Sequence, residues 1–269
     1  MDVTTLRQDA ASLLKEERAK LVIGFRQRAG ECLPAFVIEA DQAADLVYDE
    51  TCIANLAAYL RKPEVRQRRP VALVARPEVM RSLILLKAEN QITDDDVLVL
   101  GVDDDAYHGV LTLTETQALL NDRYADLAPD EATLAEIARL EAMSPEERAR
   151  FWTEQFAKCT RCYACRAACP MCYCERCIVD QNLPQWISTA AAPHGNYAWN
   201  VIRAFHLAGR CTECGACEAA CPQGIPLMLL NSLLAREVRD HLGEKPGYDA
   251  EAEPVVGSWS KDDDEAFIR

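Results

Sequence analysis

Long apolar runs are missing from this chain of 269 residues, and so are the glycine patterns that mark nucleotide sites. No stretch approaches the roughly 18 uninterrupted apolar residues needed to span a bilayer. The best runs, Leu83 to Leu86 and Val97 to Val102, are of strand or core length. Neither a G-x-G-x-x-G nor a Walker loop is present, so dinucleotide binding through the Rossmann fingerprint has no support. Positive charge is scarce: 29 Lys and Arg face 43 Asp and Glu, for a net charge of -14. That balance argues against nucleic acid or an anionic membrane as partner and suits a protein with a basic dock. The opening MDVTTLRQDAASLLKEERAK lacks an apolar signal core and carries acidic residues, so a cytoplasmic location is expected. No nucleophile and base pair stands out, and no catalytic residue is assigned. The histidines, His108, His194, His206 and His241, show no ligand spacing. His194 and His206 lie between cysteine motifs, where they could tune or ligate, although ordinary surface or core histidine is the commoner use.

Cysteine is what the chain has in excess. Of 13 cysteines, 11 crowd between Cys159 and Cys221. The odd total and the expected reducing compartment argue against a disulfide framework and for metal ligation. Two segments share one pattern, C-x2-C-x2-C-x3-C-P: CTRCYACRAACP from Cys159 to Pro170 and CTECGACEAACP from Cys211 to Pro222. Two-residue gaps let a curled loop point three thiolates at three irons of one cube, while the fourth cysteine points elsewhere. In two-cluster proteins of this bacterial pattern the fourth ligates the other cluster. One 4Fe-4S cluster is therefore expected on Cys159, Cys162, Cys165 and Cys221, and a second on Cys211, Cys214, Cys217 and Cys169. Zinc is the rival, since paired C-x2-C units also build tetrahedral zinc sites, but zinc gives no reason for three evenly spaced cysteines and a fourth before proline, twice.

Between Phe151 and Ile225 the basic residues Lys158, Arg161, Arg166, Arg176, Arg203 and Arg210 outnumber the acidic ones by one, against the strongly acidic whole. Cations near an anionic cube stabilise it and raise its potential. Beyond the eight motif cysteines stand Cys32, Cys52, Cys172, Cys174 and Cys177. The run CPMCYCERC is too dense for core filling, and a third iron-sulfur site on Cys172, Cys174 and Cys177 with Cys52 is one reading. Exchange of Cys172 for Cys169, a redox-active thiol pair and inert thiols are the others. Cys32 reads as a small buried hydrophobe.

The first hundred residues alternate strand-like runs, Lys20 to Phe25, Ala35 to Ala40, Pro70 to Ala75 and Asp96 to Val102, with helical patterns over Thr51 to Lys62 and Pro77 to Asn90. The order predicts a small parallel α/β sheet. Thr114 to Ala157 reads as exposed helix, with Ser144-Pro145-Glu146-Glu147 as a capping-box start. Helices are expected around Trp199 to Leu207 and over the run from Ile225 to Leu242. The expected organisation is an α/β adaptor over residues 1–142, a mostly α-helical dicluster ferredoxin domain over 143–243, and an acidic tail over 244–269. The tail is expected to be disordered alone, with Trp259 and Phe267 as anchors to a partner or to its own domain.

TCIANLAAYL (Thr51 to Leu60), PVALVARPEVMRSLILLKAENQI (Pro70 to Ile92) and VLVLGV resemble the N-terminal region of beta subunits of deazaflavin-reducing hydrogenases and formate dehydrogenases. The cysteine segments, FHLAGRCTECGACEAACPQGIPLMLLN and the acidic tail resemble a shorter relative in which a dicluster ferredoxin module of the α-helical kind follows. Such relatives are associated with heterodisulfide reductase-like and electron-bifurcating assemblies. The resemblance implies a relay of single electrons inside a larger cytoplasmic oxidoreductase built of several redox subunits. Two departures stand out. The family has Lys-Gly-Cys-Asp where this chain has Ala75-Arg76-Pro77-Glu78, and a further cysteine where it has Asp103 to Asp105. Longer members bind flavin, but no region here matches theirs residue by residue, so FAD is not carried over. The alternatives to a relay are an oxidoreductase subunit that binds flavin or deazaflavin in the α/β domain, and a scaffold that hands clusters to clients.

Overall fold

The computed structural model describes residues 3–180, 183–254 and 256. Its N-terminal part is a five-stranded mixed sheet in the order β2-β1-β3-β4-β5, with β1 Leu21–Arg28, β2 Glu31–Val37, β3 Val71–Ala75, β4 Val97–Val102 and β5 Tyr107–Leu111. The central three strands, β1, β3 and β4, run parallel as the strand and helix alternation requires. Both edges are antiparallel: β2 folds back on β1 and β5 on β4. The expected parallel α/β sheet is thus the three-stranded core, extended by one antiparallel strand at each edge.

The β1–β2 hairpin is closed by Ala29 and Gly30, both at positive φ (53° and 86°) between the paired Arg28 and Glu31. That is the primed two-residue turn whose twist matches the strands. Pro34, which has no N–H to give a ladder, sits on edge strand β2. Buried throughout, β3 (VALVA) is sandwiched in the sheet's core together with Val22, Ile23, Val99 and Leu100.

Ten α-helices are described: α1 Thr4–Lys15, α2 Pro63–Arg66, α3 Pro77–Ala88, α4 Leu113–Arg123, α5 Glu131–Glu141, α6 Pro145–Ala157, α7 Ala164–Ala167, α8 Pro193–His206, α9 Ala216–Ala219 and α10 Leu227–Leu242. The helix expected over Thr51 to Lys62 is instead a 3-10 turn, Leu56–Tyr59, opened by the Asn55 side chain accepting from the Ala57 N–H, and followed by α2. Pro63 restarts the chain at a helical first position after an extended Lys62. As expected, α6 starts on a capping box in which Ser144 and Glu147 satisfy each other's backbone N–H groups.

The cysteine-rich part rests on the sheet. Met171 and Leu207 are buried in the same apolar core as β3 and α3, while Phe156, Cys217, Ile225 and Leu227 form a second cluster, and Val179, Ile187 and Trp199 another. The start of the tail is ordered against the body. Lys245 reaches Asp126, Asn121 donates to the Tyr248 carbonyl, and the Tyr248 hydroxyl donates to Tyr124 O at 2.7 Å. Gly247 has φ 84°, and a Cβ there would collide with the carbonyl of Arg81. Trp259, Phe267 and the acidic run from Asp262 to Glu265 lie outside the described residues.

Candidate metal centre

The two cysteine motifs fold the same way. In the first, Arg161 and Tyr163 take positive φ (58° and 61°); in the second, Glu213 and Gly215 do so at the matching positions (56° and 76°). Each left-handed pair curls the loop until a backbone N–H meets the first sulfur: Arg161 N–H donates to Cys159 Sγ and Glu213 N–H to Cys211 Sγ, both at 3.4 Å. A single helical turn follows each loop, α7 after the first and α9 after the second, and delivers the fourth cysteine. Three of these four positions are non-glycine and conformationally costly, which fits a loop shaped by what it must hold.

Electrostatic coupling between the cysteines runs across the two motifs. Burial raises the Cys165 pKa, and the charges of Cys159 and Cys221 push it further while Arg203 opposes. Burial likewise raises Cys211, with Cys217, Cys214 and Cys169 adding to the shift. Cys217 is pushed up to about 12 by burial, with Cys169 and Cys214 contributing against Arg203. So Cys221 of the second motif faces the first loop, and Cys169 of the first motif faces the second. Of the motif cysteines Cys217 is buried, Cys162 is exposed and the others are intermediate; Cys174, outside the motifs, is also exposed.

Arg203 on α8 lies between the sets. It is 5% exposed and donates to the Cys165 carbonyl at 3.1 Å. Burial works against its charge, yet the Cys172, Cys169, Cys217 and Cys165 thiolates hold its pKa above the usual guanidinium value. Among the described residues no carboxylate pairs with it. A buried cation without a counter-charge is costly, and anionic clusters supply what it lacks. The donor set therefore fits iron-sulfur cubes. A zinc ion with bonds of about 2.3 Å would draw its ligands to roughly 3.8 Å apart, and among the described residues the trio of ligand atoms lying within 4.8 Å of one another is elsewhere, at Cys32, Asp49 and Cys52.

The two loops are supported from different sides. Asn196 on α8 donates to the Cys159 carbonyl at 2.7 Å, and buried Arg161 donates to Gly195 O at 3.0 Å while stacking over Trp199. The second loop is gripped by α3 and its N-cap in the sheet region. Arg76 donates to Cys214 O at 2.6 Å, Arg81 to Thr212 O at 3.3 Å, and Ser82, itself hydrogen-bonded to Asn55, meets the Thr212 hydroxyl at 2.9 Å. Arg81 also binds Pro246 O and lies over the Tyr248 ring, so the tail closes on the same arginine. Arg76, Arg81 and Asn55 carry no signal in the sequence that ties them to cysteines far along the chain.

Both departures from the family pattern have local roles. Arg76 occupies the place of the Lys-Gly-Cys-Asp element and holds the second loop. Asp103, near the other absent cysteine, accepts from Tyr124, His108 and the backbone of Ala106. Burial alone would raise the Asp103 pKa, but these hydrogen bonds hold it at about 2.

The third site on Cys52, Cys172, Cys174 and Cys177 does not form with those ligands. Cys52 is joined by a disulfide to Cys32, with Asp49 beside them, because the hairpin and the turn after it bring residues 20 apart in sequence together. Cys32 is accordingly a bonded partner rather than an apolar filler. Cys172, Cys174 and Cys177 line a different cavity together with His206.

Residues 158–226 match the 4Fe-4S dicluster domain family. The F420-dependent formate dehydrogenase subunit beta of Methanocaldococcus jannaschii is 33% identical over 104 residues, which is 39% of this chain and 27% of that protein. The F420-dependent formate dehydrogenase 1 subunit beta of Methanococcus maripaludis is 35% identical over 106 residues, again 39% of this chain and 27% of the relative. The match thus spans about a quarter of the length of these curated relatives. Among the described residues no helix is long and apolar enough to cross a membrane. Over 39% of its length the chain is similar to the F420-dependent formate dehydrogenase beta subunits, and its cysteine-rich region matches a dicluster domain for two 4Fe-4S clusters.

Proposed function

We propose that this chain is a cytoplasmic electron-transfer subunit that passes single electrons through two 4Fe-4S clusters inside a larger oxidoreductase assembly of the hydrogenase, formate dehydrogenase or heterodisulfide reductase-like kind. The first cluster takes Cys159, Cys162, Cys165 and Cys221; the second takes Cys211, Cys214, Cys217 and Cys169. The observation that carries the reading is Arg203, buried among cysteines of both sets with no acidic partner among the described residues. A bound cubic cluster supplies reversible one-electron chemistry. The residues around it hold the loops, supply positive charge and limit water. Exposed Cys162 opens the first set toward solvent and a docking partner, whereas the second lies under Arg76 and Arg81.

In this reading the sheet unit over 1–142 is the adaptor, 143–243 the cluster module and 244–269 a tail whose first residues latch the two together. The relay is tested by reducing the anaerobically purified chain and following its EPR signal through repeated redox cycles in the presence of an apo-ferredoxin. Reversible reduction with iron retained supports it. Stoichiometric loss of iron to the acceptor would instead make the chain a cluster donor.

A further inference from the structure

We infer that Cys172, Cys174, Cys177 and His206 form a third metal centre, a surface iron-sulfur cube beside the two clusters of the dicluster motif. Its purpose rests on the relay reading, but its ligands do not. These four side chains line one cavity of about 250 Å³. Three thiolates and one imidazole are a complete donor set for a cube, and the cavity gives it room.

The charge of the cavity suits an anionic group. Arg166, Arg203 and Arg210 line it, and none of its described lining residues is a carboxylate. Arg166 is balanced by Asp180 at 3.6 Å and Arg210 by Glu89, and Arg203, which also faces motif cysteines, has no carboxylate partner among the described residues. Arg166 also donates to the Cys174 carbonyl at 2.7 Å and so fixes the short loop that carries the thiols. A cube is favoured over a single ion by the room in the cavity, about 250 Å³. Each thiolate of a cube binds its own iron, so the ligands stand wider.

The location gives the centre a role. Cys172 is hydrogen-bonded to Cys169, the thiol that faces the second motif, while Cys174 and His206 are exposed. With clusters bound, the cluster on Cys169 would give one electron to the third centre, the donor being oxidised by one as the acceptor is reduced by one. The third centre is then an outlet at the surface.

The test is iron and acid-labile sulfide content of the full-length chain, reconstituted anaerobically with ferrous iron and sulfide, combined with EPR of the reduced state. About twelve irons per chain are expected. Cys174→Ser/Cys177→Ser should lose about four of them and keep the EPR signals of the two motif clusters. Cys52→Ser should lose none. His206→Cys should keep the count and shift the g values of the third centre, whereas His206→Gln should shift them or release that cluster. About eight irons in the unaltered chain with both motif signals intact overturns the third centre and leaves the relay standing. Eight irons plus one zinc overturns the cube, and an unchanged spectrum in His206→Gln removes histidine as its ligand. Loss of a motif signal in the double variant places those thiols on a motif cluster and also overturns the proposal.

Discussion

The two cysteine loops share a backbone and differ in what holds them. Both use left-handed positions and an N–H to sulfur bond to curl around a site. The first loop is braced by α8, where Asn196 donates to Cys159 and Gly195 accepts from the loop's own Arg161, whereas the second is braced by Arg76, Arg81 and Ser82 of the sheet region. The loop motif is set by cluster chemistry, but its support is free to vary. In this chain the difference makes one cluster site a property of the helical region and the other a property of the junction with the sheet.

That contrast can be broken most strongly at Arg203, the residue common to both sides. Arg203→Met should cost about 3 to 5 kcal/mol of stability, the usual scale for leaving a buried charge uncompensated. It should also lower the potentials of both clusters, as read by redox-titrated EPR. A shift in one cluster alone would show that Arg203 serves one loop.

Arg76→Met with Arg81→Met should act on the second loop and, through Arg81, on the start of the tail, but not on the first loop. Carbonyls of Thr212 and Cys214 lose their donors, at about 1 to 3 kcal/mol for a buried group left unpaired, and the second cluster's signal should change while the first holds. Asn196→Ala is the mirror experiment, with about 1 kcal/mol expected and the first cluster's signal altered. Identical spectral changes in the two variants would mean that the loops do not have separate supports.

The smallest expected effect lies in the sheet region. The folded pKa of Asp103 is held at about 2, below its ordinary 3.8, so its contribution is fully present above that ordinary value and fades as pH falls toward 2. Asp103→Asn should flatten the acid limb of the stability profile, measured by denaturant unfolding, without moving either cluster signal.

Much of the site was legible because its chemistry is local. The C-x2-C-x2-C-x3-C-P spacing names the two loops, and the matching φ pairs at Arg161 with Tyr163 and Glu213 with Gly215 show that they fold alike. Ser144 and Glu147 likewise declare the start of α6. The strands of the parallel core were readable as unbroken apolar runs.

What stayed hidden depends on long-range placement. Tyr107–Leu111 has no strong alternation and is half-buried throughout, so β5 gives little pattern to see. Cys32 and Cys52 meet only because the fold turns back between them, and the arginines that grip the second loop are more than 130 positions from the carbonyls they bind. Lys245 to Ala250 reads as polar tail because its partners, Arg81, Gln117, Asn121 and Tyr124, belong to distant helices and their caps.

Crossed ligation is tested most directly by reduced-state EPR of Cys169→Ser. The signal that responds to Arg76→Met should disappear, while the signal that responds to Asn196→Ala persists, because Cys169 stands in the first motif but serves the second cluster. Survival of the Arg76-linked signal with loss of the Asn196-linked one would show that each loop keeps its own fourth thiolate, and the crossed arrangement would be wrong.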